Sequence, residues 1–382
     1  VSEIQAPVKR SNPVGDKIMP VLQDGEDWLL GAKRATYGIA LVRILFGLTA
    51  LGFLAANWLN RHYLWGDAAR WLEPIDDNGG FSWPFTMISG GSSQFELDAK
   101  LAVIAVLLVL LVLGWRTRLL APIILVLWVS LIESQPIYGD QSDNIFRILF
   151  FYMCFADMSG RWSLDARRRA KQTTGEWKSP IQLQVKPQLR ENAARVAVLF
   201  HNLAIVAIGA QICMIYLASG LYKVQGERWQ DGTGIYYPLQ VSQYSPWPAI
   251  NELLGASALA VMIATYFSVF IQVFFPLMLL RRSTRIIALL GVAAMHLGIA
   301  FIMGLPFFSM FIMAGDMIFI RDATYTSIQD WVRQRWHERR RRDRPGAGTP
   351  SAELEQSAAE HVVQQRERKE AVGIVRTVRT DT

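Results

Sequence analysis

The feature that most limits what this chain can fold into is the clustering of its charge. Residues 286–315 contain no Asp, Glu, Lys or Arg, and residues 101–115 and 196–222 are equally free of them. A bilayer core of roughly 30 Å takes about 20 apolar residues in helical form, and stretches of this kind read as spans. Candidate spans run near 36–57, 99–115, 118–136, 144–158, 194–222, 258–280, 286–304 and 306–321. The expected fold class is therefore an all-α membrane protein, a polytopic bundle of about eight transmembrane helices with no large soluble domain.

Composition alone would not decide this, because 52% apolar content also suits a large soluble domain. A net charge of +7 would suggest nucleic acid in a soluble protein. Here the basic residues flank the spans, so orientation in the bilayer accounts for them and no nucleic-acid partner is expected. Lys9, Arg10, Lys17, Lys33 and Arg34 precede the first span, Arg116 and Arg118 follow the second, and Arg161 to Arg190 follow the fourth. Arg281, Arg282 and Arg285 separate the sixth and seventh, and an Arg-rich segment at 334–344 follows the last. Eight crossings put all of these on one side, which the positive-inside rule makes the cytoplasm. The expected location is the plasma (inner) membrane, multi-pass, with both termini cytoplasmic and the lipid bilayer as the main partner. Trp28, Trp58, Trp65, Trp115 and Trp229 sit where apolar runs end, as interfacial aromatics do.

Three regions follow. Residues 1–35 form a cytoplasmic segment whose mixed stretch 17–34 suits an interfacial helix and which lacks the apolar core of a cleavable signal. Residues 36–321 are the membrane domain. Residues 322–382 read as a basic, disordered cytoplasmic tail, poor in large apolar residues after Asp343. Cys154 and Cys213 both lie in apolar runs and suggest neither a disulfide nor a metal site, and no metal is expected.

Ionisable groups inside spans cost a few kcal/mol on insertion scales, so each needs a partner or a purpose. Arg43 suits snorkelling, or pairing with Asp316 or Asp157. Arg147 has Glu133, Asp140 and Asp143 within loop reach. His201 and His296 are isolated in apolar runs. His201 precedes Lys223 by 22 residues of one helix, roughly 33 Å, and cannot share a site with it. His296, near mid-membrane, suits a cavity open to the outer side. The segment 215–239 carries the most information. Ala218, Ser219 and Gly220 permit close helix approach, Lys223 follows at the mouth, and a loop with Trp229, Asp231, Tyr236 and Tyr237 comes next. Lys223 is either a snorkelling lysine or a partly desolvated amine that serves as a base.

Four motifs occur in order: VRILFG at 42–47, ADMSGRWSLD at 156–165, YLASGLYK with Trp229 and Gly232 at 216–232, and MHLGIAFIMGLPFFSMFIMAG at 295–315. With them the chain resembles the horizontally transferred transmembrane domain (HTTM) family, which includes vitamin K-dependent gamma-glutamyl carboxylase. That resemblance implies a membrane core acting on a lipid-soluble quinone or quinol such as vitamin K. It places Lys223 as the catalytic base on the extracytoplasmic side, with His296 as its catalytic companion. Trp229 and Asp231 then fall in the substrate-binding loop. Where the carboxylase has a histidine near the start of span 4, this chain reads Gln141, Ser142, Asp143 and Asn144. Asp143, Asn144 and the adjacent Arg147 are candidate substrate-binding residues there. The large non-cytoplasmic domain of the carboxylase has no counterpart, since no outer loop exceeds about 45 residues. The resemblance implies either a carboxylase-like or epoxidase-like quinol activity or, alternatively, a non-catalytic membrane scaffold. Such a scaffold would serve peptide maturation or export, or a thiol oxidoreductase partner.

Overall fold

In a computed structural model of the protein, the described residues are 15–66, 82–88, 93–135, 139–174 and 186–342. Among them the regular structure is entirely helical. The N-terminal part comprises α1 (Gly15–Leu30), α2 (Thr36–Asn57), α3 (Arg61–Trp65), α4 (Gln94–Leu113), α5 (Thr117–Glu133), α6 (Gln141–Phe155) and α7 (Leu164–Thr173). The rest comprises α8 (Pro187–Gln225), the short α9 (Glu227–Gln230), α10 (Tyr236–Gln240) and α11 (Pro248–Ala256), then α12 (Ala258–Met278), α13 (Arg282–Ile302), α14 (Pro306–Asp316) and α15 (Asp322–Arg342). Residues up to Asp322 cluster as one unit and those from Ala323 onward as a second.

Four described helices are long and apolar enough to cross a membrane: Thr36–Trp65, Pro187–Gln225, Ala258–Met278 and Arg282–Ile302. The outward faces confirm the solvent they require. Val103, Val106 and Val109 of α4, Ile263, Phe270 and Phe274 of α12, and Ile287, Leu290 and Leu297 of α13 are all exposed. Water would not tolerate so continuous an apolar surface, whereas lipid chains solvate it. This is a membrane protein.

Inside, the core is aromatic. Phe146 stacks on Phe150 at 4.8 Å, and Phe46 meets Phe311 edge-on at 5.1 Å, so α2, α6 and α14 converge on one cluster. Close approach at Gly220 shapes the C-terminal part of α8. A Cβ there would lie 2.9 Å from the backbone nitrogen of Val273, so only glycine lets α8 and α12 come so near.

Helix ends are tied across the chain. Thr36 and Tyr37 at the start of α2 donate their backbone N–H groups to the Asp322 carboxylate at 2.9 and 3.1 Å, and the Thr36 hydroxyl adds a third bond. Asp322 thus caps α2 from 286 residues away. Asn202 of α8 accepts from the Arg34 N–H and donates to the carbonyls of Leu29 and Ala32, which fastens the chain between α1 and α2.

Two expectations need correction. Arg43 pairs with neither Asp316 nor Asp157. It is fully buried and donates to the carbonyls of Leu111, Val112, Met158 and Trp162. The reason is local: the last carbonyls of α4 have no partner within the helix, and a guanidinium carries enough donors for several. Asp157 instead pairs with Lys33, and Asp316 accepts from the Tyr216 hydroxyl at 2.8 Å. Second, Asp322–Arg342, the start of the segment expected to be disordered, is the helix α15. Its i, i+3, i+4 pattern of Ile328, Trp331, Val332 and Trp336 was hidden by the surrounding arginines. Residues 343–382 lie outside the described residues.

Candidate functional site

Near its end, α8 presents Tyr216, Ser219, Gly220 and Lys223 on one face, because residues three, four and seven apart share a helix side. Opposite stands Gln272 of α12. The Lys223 ammonium donates to the Gln272 side-chain carbonyl at 2.6 Å and to the Ser219 hydroxyl at 3.0 Å, and lies 5.2 Å from the centre of the Trp229 ring. Among the described residues no carboxylate lies within ion-pair distance of Lys223. A lone partly buried ammonium, held by neutral acceptors and an aromatic face, leaves room for an acidic ligand.

Lys223 lines a cavity of about 470 Å³ between α8, α12 and α13. Apart from Lys223, Trp229, Ser268 and Gln272, its walls are apolar or glycine. Small residues open it: Ala260 and Ala264 on α12 face Ala294 and Gly298 on α13, and a Cβ added at Gly298 would meet nothing within 4 Å. Lower down the same helices touch, with Ile271 against Gly291. A volume of this size suits a small organic ligand, and the lining suits an apolar one with a single polar group.

The other candidate residues are placed differently. His296 is buried and sits between Tyr216 and Phe308, with ring centroids at 5.9 and 5.7 Å. Its neighbours Ala294, Met295 and Gly298 line the cavity, while both its ring nitrogens lack a hydrogen-bond partner. Trp229 lines the cavity but Asp231 does not. The Asp231 carboxylate is held below its ordinary range by hydrogen bonds from the Thr233 hydroxyl and backbone N–H, with Arg228 adding charge. Asp143, Asn144 and Arg147 line a separate polar cavity of about 450 Å³ together with Glu133, Asp140 and Gln141. There Arg147 pairs with Glu133 at 2.9 Å, and Asp143 joins Asp140 in capping α6. The structure therefore brings Lys223 and Trp229 together and keeps the 143–147 group apart.

His201 is a structural residue. Its Nδ1 accepts from the Asp157 backbone N–H at 2.9 Å and its Nε2 faces the Arg34 carbonyl at 2.8 Å, which fixes the tautomer. Gln272 and Ser268 are cavity residues that the sequence reading passed over. Polar side chains in the otherwise apolar helix 258–278 were the available signal.

The fold and site define a helical integral membrane protein with an apolar, lysine-capped cavity. Its sequence is similar to the sporulation-delaying protein SdpB of Bacillus subtilis (strain 168), at 27% identity over 146 residues. The match covers 38% of this chain and 38% of that relative, so the chain spans well under half the length of the relative it matches. No protein-family model matches the chain, and no solved structure matches it at a significant level.

Proposed function

We propose that the cavity binds a lipid-soluble quinol, which enters sideways from the membrane between α12 and α13, and that Lys223 acts on its hydroxyl as a base. The observation that carries this reading is the Lys223 amine, free of any carboxylate partner among the described residues, at the edge of an apolar cavity. Removing a phenolic proton of pKa about 10 takes a base of comparable strength, and a lysine amine is one. The reading extends the resemblance to the HTTM family, with carboxylase-like or epoxidase-like activity as its catalytic form. His296, one wall away, would steady the bound head group, and Trp229 would pack against its ring. Asp231 and the Asp143, Asn144 and Arg147 group would act on the outer surface, where a peptide could approach.

Filling the cavity is the direct test. Gly298→Phe projects a ring into open space, so the protein should fold and lose affinity for a quinol by at least about tenfold. Gly298→Ala should bind normally and gain about 1 kcal/mol of helix stability. Unchanged quinol binding by the Phe variant, measured in nanodiscs, would place the ligand elsewhere.

A second reading is a non-catalytic scaffold in peptide maturation or export. It is favoured by the similarity to a sporulation-delaying protein, whose name denotes a biological effect and not a reaction. Under it, Gly298→Phe and changes at Lys223 alike leave capture of the peptide or thiol oxidoreductase partner unaltered.

We further propose about eight crossings, with α4, α5, α6 and α14 added to the four long helices, and both ends in the cytoplasm of a cell whose inner membrane holds the protein. Reporter fusions after Arg168 and Arg282 should read cytoplasmic, and those at Asp140 and Tyr244 outside. A cytoplasmic signal at Asp140 would remove α5 or α6 as a span.

A further inference from the structure

Helix α15 carries an apolar stripe that none of the preceding chemistry uses. At 100° per residue, Trp331, Arg335, Ile328, Arg339, Val332 and Trp336 fall within an arc of about 140° that contains no acid. Ile328, Trp331, Val332 and Trp336 are each at least half exposed. Arginines sit on the two indoles: Arg335 lies 5.4 Å from the centre of Trp331, and Arg340 lies 3.9 Å from that of Trp336. Asp330 falls on the opposite side of the helix. Soluble helices seldom expose two tryptophans beside a valine and an isoleucine, whereas helices that lie in a bilayer interface do.

The first residue of the helix belongs to the preceding unit. Asp322, its first residue, caps the start of α2 through Thr36 and Tyr37, and Thr36 is also where the span Thr36–Trp65 begins. Arg333, Arg335, Arg339 and Arg340 give its far half a strong positive charge against the single acid Glu338. Each basic residue near an anionic leaflet strengthens adsorption, and the effect weakens as salt screens it.

We propose that α15 is an in-plane anchor that binds anionic phospholipid, with Ile328, Trp331, Val332 and Trp336 inserted among the acyl chains and Arg335 and Arg339 at the phosphates. The occupant of the stripe is thus the membrane surface itself. This inference is independent of the quinol reading.

The test uses the full chain with Cys154 and Cys213 replaced by Ala. An environment-sensitive fluorophore is attached through Val332→Cys in one sample and Asp330→Cys in another. Each is placed in nanodiscs of phosphatidylcholine with or without phosphatidylglycerol, and lipid-borne spin labels serve as quenchers. The expected result is strong quenching at position 332, weak quenching at 330, and a difference that grows with phosphatidylglycerol. Changing both Arg335 and Arg339 to Gln should reduce the phosphatidylglycerol dependence on the order of tenfold. Equal quenching and equal water accessibility at 330 and 332 would overturn the proposal. So would a label at 332 shielded from iodide and lipid quencher alike, since the stripe would then be covered by protein. A third contrary result is full quenching at 332 that neither phosphatidylglycerol nor the double variant alters.

Discussion

Arg43→Leu should leave little folded protein. The change takes the guanidinium from the carbonyls of Leu111, Val112, Met158 and Trp162 and puts an apolar side chain at a fully buried position; the Leu111 carbonyl keeps a second donor, the Gly114 backbone N–H at 3.0 Å. An unsatisfied buried acceptor costs roughly 1–3 kcal/mol, so the loss should be on the order of 4 kcal/mol even if two of the four find other donors. Gly114 cannot relax to fill the gap. It adopts a left-handed conformation at φ 71°, and a Cβ there would lie 2.3 Å from that of Ser163. Arg43→Lys should fall between, since an ammonium has three donors and no planar fork. Thermal unfolding of the detergent-solubilised protein measures this. A Leu variant with the wild-type midpoint would show that the four carbonyls do not depend on the guanidinium.

The same residue shows what a sequence does and does not display. That Arg43 needed compensation was legible, because a charge inside an apolar run is costly wherever it lies. Its partners were not, because backbone carbonyls carry no residue signature. Asp316 and Asp157 were the visible acids, yet Tyr216 and Lys33 took them. Lys223 was legible for the opposite reason. It stands alone after a small-residue stretch, and helical spacing placed Ser219 beside it. Gln272 came from another helix 49 residues away, and only the packing at Gly220 brings it within reach. The separation of His201 from Lys223 followed from helix rise alone, since a single helix Pro187–Gln225 contains both. The helicity of α15 could have been found by counting its apolar spacing, whereas the run of arginines read only as a positive anchor beside the membrane.

Lys223 is expected to govern the chemistry. Lys223→Met keeps an apolar stem of similar length, removes the ammonium bound to Gln272 and Ser219, and faces no carboxylate that would be left unpaired among the described residues. It should therefore fold and insert as the wild type does. General bases contribute typically 10²–10⁴-fold, so turnover of a quinol should drop by at least about 100-fold. Lys223→Arg should be nearly as inactive, because a guanidinium holds its proton and cannot serve as a base. It still offers hydrogen-bond donors to the oxygen of the neutral quinol, so its affinity for the quinol should survive.

The contrast between binding and turnover in that Arg variant tests the central claim most directly. Purified wild-type and Lys223→Arg proteins in nanodiscs would be given vitamin K hydroquinone in air-saturated buffer. Bound quinol and the oxidised products would be measured in the same samples. The account predicts comparable binding in both and catalytic oxidation by the wild type alone; equal rates of turnover in the two proteins would contradict it.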